Sequence, residues 1–244
     1  MNAWPEGYGR RVFDVLDSTL SEAARIASDI PGPTWILALE QTAARGRRGR
    51  AWSTPRGNFA GTLIMRRVDE PGVAALRSFV TSLALLRAFV ATTGQGDRFA
   101  LKWPNDVLLD GGKVAGILLE SSGEHLIIGV GVNLAHAPTA DQVEARAVTP
   151  VSLAGALGVH VTPEVFLTAL AIEYAELETQ FTTYGFAPIR SAWLAHAARL
   201  GKVITARTMR DETIGTFEDV DAQGNLILRT KTGAVAITAA DVFF

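Results

Sequence analysis

Four arginines and two glycines fall within the nine residues ARGRRGRAW (44–52) of a chain whose formal net charge is −2. Guanidinium groups grip phosphate through paired donors, and glycines let backbone N–H groups turn toward the same ligand. Three explanations compete: a nucleic-acid patch, a solvated basic loop, or a loop that closes over one phosphate-bearing ligand. A nucleic-acid reader is expected to show a wider basic field or a DNA-reading motif. Residues 1–40 hold no helix-turn-helix pattern, so the single glycine-interrupted cluster suits one small ligand better.

A second dense stretch is KWPND (102–106), which sets a lysine, a tryptophan, an amide and a carboxylate between apolar runs. Pro104 cannot donate to a sheet ladder, so Asn105 and Asp106 are expected where one strand ends and the next begins. An ordinary turn is the plainer reading of Pro-Asn-Asp. NDVLLDGGKVAGIL (105–118) then reads as a hairpin turning at Gly111-Gly112, with Asp110 opposite Lys113 and Asp106 opposite Ile117. Alternation along the strands puts Asp106 and Lys113 on one face, beside small Ala115 and Gly116. That arrangement is either a ligand site or a plain cross-strand ion pair. GVGVNL (129–134) carries two glycines in a strand-like run, as needed for a close backbone approach or for a bulge.

The elements that must position these residues are legible in outline. Residues 17–28 read as a helix start, with Thr19 and Glu22 at capping-box spacing. TWILALE (34–40) and NFAGTLIM (58–65) are strand-like and flank the arginine loop. Residues 71–94 open with proline and close with glycine around a long apolar-rich run, which predicts a helix. RFALKW, NDVLLD, KVAGILLE and HLIIGVGVNL follow as four strand-like pieces. Residues 138–150 read as a polar loop, PVSLAGALG as a short helix, and 163–199 as helical with a break near TTYGFAP. The last part changes to short strands and turns, which divides the chain into residues 1–199 and a β-rich module, 200–244.

Composition narrows the chemistry. Apolar residues make up 48 % and charged residues 20 %, as in globular proteins. There is no cysteine, which excludes disulfides, thiolate metal sites and a thioester on the protein itself. Histidines 125, 136, 160 and 196 show no metal-ligand spacing. Only four of the 23 basic residues are lysines, and two of them, Lys102 and Lys113, bracket the central stretch. No signal peptide and no apolar run of membrane-spanning length are apparent, so a cytoplasmic protein without membrane contact is expected.

DST (17–19), ARGRRGRAW, KWPND, GGKVAGILLE (111–120) and GVGVNL, in this order and with a β-rich tail, resemble the biotin protein ligases of bacteria and archaea. The resemblance covers nearly the whole chain. It implies an α+β fold: a mixed-sheet catalytic domain related to class II aminoacyl-tRNA synthetases and lipoate ligases, plus an SH3-like C-terminal β-barrel. It implies the single-function type, without an N-terminal DNA-binding domain and with no DNA partner. The reaction implied is formation of biotinyl-5′-AMP from biotin and ATP with Mg2+, then transfer to a lysine of a biotin carboxyl carrier protein. A homodimer is compatible with it.

By the same resemblance Lys113, Asp106 and Arg47 are the catalytic group. Ser18, Thr19, Gln41, Arg45, Arg47, Lys113, Gly116 and Gly131 would bind biotin. Arg45, Arg47, Arg48, Arg50, Trp52, Asn105, Lys113 and Asn133 would hold ATP or the adenylate, with Asn105 or Asp106 near the metal and the arginine loop serving as a lid. Two positions depart from the family's pattern: Leu20 stands where asparagine is usual, and Ala44 replaces the loop's first glycine. A ligase for another acid such as lipoate, and a nucleic-acid-binding protein using the arginine loop, are the rival readings.

Overall fold

In a computed structural model of the chain, residues 3–67, 69–139, 142–143, 148–208 and 211–244 are described. The predicted loop at 138–150 therefore lies partly outside the described residues. Two sheets account for the strand signals. The first follows the order β1-β2-β3-β7-β6-β5-β4. Its strands are β1 (Gly9–Leu16), β2 (Thr34–Gln41), β3 (Phe59–Arg66), β4 (Phe99–Lys102), β5 (Asp106–Leu109), β6 (Gly112–Ser122) and β7 (His125–Val132). Only β1 and β2 run parallel and the other pairings are antiparallel, so the sheet is mixed.

β1 has no clear strand signal in the sequence. It is an edge strand exposed along most of its length, and it interleaves Arg10, Arg11 and Asp14 with apolar residues. Charge on an unpaired edge protects it from pairing with other chains and also erases the usual burial pattern.

Helices cover the sheet unequally. α1 (Thr19–Ile26) packs on β2, β3 and β7 through Leu20 and Ala23, forming a small core with Ile36, Ile64 and Ile127. On the opposite face α2 (Pro71–Ala75) leads into α3 (Arg77–Thr93), which stops at left-handed Gly94. α4 (Leu153–Leu157) is capped by Ser152; α5 (Pro163–Tyr184) and α6 (Phe186–Leu194) complete the large core, broken at Gly185 as TTYGFAP implies. Pro71–Thr93 is long and apolar enough to span a membrane, unlike the sequence reading, but it is mostly buried in this core. The C-terminal sheet has the order β11-β10-β9-β8-β12 and is antiparallel throughout. It comprises β8 (Val203–Arg207), β9 (Glu212–Val220), β10 (Leu226–Thr230), β11 (Gly233–Ile237) and β12 (Asp241–Phe243).

Two local expectations change. Ser18, not Thr19, occupies the N-cap of α1 and makes no side-chain cap bond, while Glu22 pairs with Arg25. No capping box forms, because the Thr19 backbone N–H donates to Gln41 Oε1 instead, at 2.7 Å. The central hairpin turns at Asp110-Gly111, not Gly111-Gly112; both have positive φ, 50° and 81°, the conformation that an Asp-Gly turn favours. Asp110 then pairs with Arg98 rather than Lys113, and Leu109 faces Gly112. An irregularity between Val107 and Leu108 shifts the register, so that Asp106 opposes Gly116, not Ile117.

Between α3 and α5, Arg77 is almost fully buried. It donates to both Glu178 oxygens and, at 2.7 Å, to Asp69, with the Phe181 ring 4.9 Å away. Removing one member of such a cluster leaves an uncompensated buried charge. Glu178→Ala should therefore lower the unfolding free energy by about 3–5 kcal/mol in urea titrations, whereas a loss within error would mean that Asp69 alone suffices for Arg77.

Candidate active site

The part of the first sheet not covered by α1 forms the floor of a cleft of about 610 Å³. Gly129 and Gly131 alternate along β7, and Gly116 lies opposite Gly131 on β6, so all three face the cleft. Missing side chains make room here. A Cβ on Gly131 would lie 2.4 Å from Trp52 Nε1, and one on Gly129 would lie 2.7 Å from the Leu20 side chain. The strand glycines thus serve close approach, of an indole and an isobutyl group, and β7 carries them without interruption.

One end of the cleft is polar. Gln41 Oε1 accepts from the Thr19 N–H and hydroxyl, and Gln41 Nε2 donates to Thr54 at 3.0 Å. Thr62, fully buried on β3, donates to Thr19 Oγ1 at 2.8 Å. Ser18 lines the cleft beside them. Neither Thr54 nor Thr62 carries a signal in the sequence, because Thr54 sits in the polar, turn-like STPRG and Thr62 looks like an ordinary strand residue of NFAGTLIM.

The other end is ionic. Asp106 lies 2.6 Å from Lys113 Nζ and 3.5 Å from Lys102 Nζ. Burial pushes the Asp106 carboxyl up, but the two ammonium groups outweigh it and hold the group below the usual carboxylate range. Lys102 is lowered as well, but in its case by burial, which Asp106 opposes only in part. Lys113 also sits 5.5 Å from the Trp52 ring centre and against Gly116. The expectation of Asp106 and Lys113 on one face therefore holds in this geometry despite the altered register, and Lys102 joins them. Its position bracketing the central motif was the available signal.

The arginine loop divides its charges. Arg45 pairs with Glu120 at 2.8 Å and bonds Ser21, and Arg47 reaches Asn105 Oδ1 at 3.3 Å. Arg48 and Arg50 both grip Asp241 of the C-terminal sheet, at 2.9 and 3.1 Å. Arg45, Arg47 and Arg50 line the cleft; Arg48, expected with them, does not. Its backbone is left-handed, with φ 58°, which carries its side chain to Asp241. Asn133 lines the cleft, yet its amide is held by the Val151 carbonyl at 3.1 Å.

A resident magnesium does not fit these residues. Among the described residues no three His, Asp or Glu side chains gather to hold a metal. Asp106 already faces two ammonium groups, and the Asn105 amide is engaged by Arg47 and the Ile117 carbonyl.

Comparison with known proteins gives consistent results. Residues 12–133 match the Biotin/lipoate A/B protein ligase family, and residues 200–244 match the Biotin protein ligase C terminal domain. The chain is similar to the biotin--[acetyl-CoA-carboxylase] ligase of Paracoccus denitrificans, 54% identical over 93% of this chain and 97% of that protein. It is 31% identical to the bifunctional ligase/repressor BirA of Bacillus subtilis, over 94% of this chain and 72% of that one. Among solved structures, the biotin protein ligase from Aquifex aeolicus in complex with biotin and ATP superposes with a TM-score of 0.85 at 22% identity, covering 96% of this chain and 97% of that one.

Two measurements check the site's geometry. In Asp106→Asn, Lys102 loses the carboxylate that keeps it charged against burial, so its titration, followed by the 13C shift of its Cε, should move to lower pH than in the wild type. An unmoved titration would mean that Asp106 does not set it. In Gly131→Ala the new methyl group should expel the Trp52 ring, changing the emission of that tryptophan; an unaltered spectrum, read against Trp52→Phe, would contradict the contact.

Proposed function

Because the chain belongs to the Biotin/lipoate A/B protein ligase family, we propose that it activates biotin with ATP and passes the biotinyl group to a lysine of a biotin carboxyl carrier protein. The observation that carries this reading is the order of chemistries along the cleft. Hydrogen-bonding groups at Ser18, Thr19 and Gln41 give way to an apolar stretch under Leu20, Leu118 and Trp52, then to Lys113, Asp106 and Arg47. A ligand with a polar ring, an alkyl chain and a terminal carboxylate has the same order. Gly129 and Gly131 span the middle, two residues of strand or roughly 6–7 Å of rise.

In the first step a biotin carboxylate oxygen attacks the α-phosphorus, and the bond to pyrophosphate breaks. Negative charge gathers on phosphate oxygens, so fixed cations contribute most. In this reading Lys113 bridges carboxylate and phosphate, and Arg47 holds the phosphate from the loop. Trp52, packed against Gly131, walls the adenylate from water. Magnesium enters as the counter-ion of the nucleotide. In the second step the neutral amine of the carrier lysine attacks the anhydride carbonyl, AMP leaves, and the proton that the nitrogen sheds passes to solvent. Asp106 steers that lysine and holds Lys113, rather than taking its proton, because a carboxylate kept below its usual range is a weak base. We place the reaction in the cytoplasm.

Nucleic-acid binding is less well supported. Arg45, Arg48 and Arg50 are engaged by carboxylates of the same chain, which leaves no broad basic field at the loop. Lipoate lacks the ureido group that the Thr19–Gln41 end would bind, so calorimetry should find binding of biotin and not of lipoate.

The direct test is biotin-dependent ATP–pyrophosphate exchange, followed by a gain of one biotinyl mass on a carrier-domain lysine. Folded protein that gives neither refutes the proposal. Lys113→Gln keeps similar reach and loses the charge, so the exchange should fall by roughly 100-fold or more if electrostatic stabilisation dominates. Near-normal exchange would reduce Lys113 to the partner of Asp106. Arg47→Gly should still form the adenylate but release it early, labelling bystander lysines; strict carrier specificity in that variant would remove the lid role.

A further inference from the structure

Asp241 meets three guanidinium groups from a segment more than 190 residues earlier in the chain. Arg48 Nη1 and Arg50 Nη2 bond its Oδ2 at 2.9 and 3.1 Å, and Arg47 Nη1 lies 3.9 Å from Oδ1. The carboxylate itself is held firmly. Asp241 pairs with Arg207 in the β12–β8 ladder, and its side chain is only 14% exposed. Burial raises its pKa, but Arg50, Arg48 and Arg47 together keep it below the usual range, so it is ionised at neutral pH.

The loop tip needs an outside anchor. Its own backbone makes a small turn in which Gly46 N–H donates to the Arg50 carbonyl at 2.7 Å, and Arg45 bridges Ala51. Inside that turn Arg48 takes the left-handed conformation, which a side-chain-bearing residue adopts only when its surroundings compensate. Arg48 and Arg50 bond the carboxylate of the C-terminal module directly, and Arg47, just before them in the chain, sets its Nη1 between Asn105 and Asp241, bonding Asn105 and staying 3.9 Å from Asp241.

We infer that Asp241 is a positioning residue for the arginine loop: by gripping Arg48 and Arg50 it holds the left-handed turn and so aims Arg47 into the cleft. Arg48, which does not line the cleft, then acts on the nucleotide through Asp241 and not by touching phosphate, while Arg50, at the cleft, is held in place by the same carboxylate. The C-terminal module contributes to nucleotide binding by this contact, at a distance from the reacting atoms. The inference rests on the proposed adenylation only for its kinetic readout.

The test uses the full chain as wild type, Asp241→Asn, Arg48→Gln and the double variant. Amide exchange in ligand-free protein reads the turn directly: Gly46 and Arg50 should exchange faster by roughly tenfold in Asp241→Asn, as for loss of a few partly exposed charge pairs. In biotin-dependent pyrophosphate exchange, Asp241→Asn should raise the KM for ATP by roughly fivefold with kcat nearly unchanged. Arg48→Gln should add little to Asp241→Asn, because both remove one contact. The charge-reversed pair Arg48→Asp with Asp241→Arg should recover part of the wild-type KM. Unchanged amide exchange in Asp241→Asn, or effects of Arg48→Gln and Asp241→Asn on KM that simply add, overturns the inference. A wild type inactive in pyrophosphate exchange refutes the proposed function instead and leaves the amide-exchange arm to decide this point. Should Asp241→Asn not fold, Arg48→Gln with Arg50→Gln reads the same contact from the loop side, with the same faster exchange expected and unchanged exchange again fatal.

Discussion

A negative charge inside a protein is tolerable only in company, and Asp106 has two ammonium groups within 3.5 Å. Much of the site follows from that requirement. To meet Asp106, Lys113 lays the end of its side chain against Gly116 of its own strand and its ammonium near the Trp52 ring. Trp52 can lie there only because β7 has no side chain at residue 131. The position of the indole in turn fixes where the arginine loop returns to the sheet, with Trp52 N–H donating to the Ala44 carbonyl at 3.1 Å. A carboxylate, a lysine, an indole and a bare stretch of backbone thus form one mutually dependent unit.

The arginine loop shows the same economy of charge. Four guanidinium groups so close together repel one another, and they are met by three acceptors from different parts of the fold: Glu120 on β6 for Arg45, Asn105 before β5 for Arg47, and Asp241 on β12 for both Arg48 and Arg50. These contacts tie the basic, glycine-containing segment to three parts of a chain whose net charge is −2. They also separate the arginines by role. Arg45 is tied to the sheet and Arg48 to the C-terminal module, while Arg47, among the described residues, meets an amide at hydrogen-bonding distance and a carboxylate at 3.9 Å.

Much of this organisation was legible in the sequence. Pro71 and Gly94 delimit the long helical segment, Gly185 marks the break between α5 and α6, and the motif residues converge on one cleft. What escaped had physical reasons. β1 is an exposed edge strand with charges interleaved, so its periodicity carries no burial signal. The hairpin register depends on which pair best tolerates positive φ, and Asp110-Gly111 competes with Gly111-Gly112 for that place. Asp241 lies in an unremarkable short strand, and nothing local announces that its partners are three arginines near residue 48. Contacts of that kind arise from the docking of two sheets, which no window along the chain can contain.

Leu20 shows how a departure from a family pattern can be read once its neighbours are known. Where asparagine is usual, this chain has a side chain only 5% exposed, packed with Ala23, Ile36 and Ile127 and lying directly on Gly129. A polar amide in that apolar setting would need its own partners, and the nearby candidates already satisfy one another: Thr19 with Gln41, Thr62 with Thr19, and Gln41 with Thr54. Leucine avoids leaving an amide unpaired. It also lengthens the apolar section of the cleft between its hydrogen-bonding and ionic ends, so that the departure strengthens the apolar segment of the floor while the polar end remains complete without it.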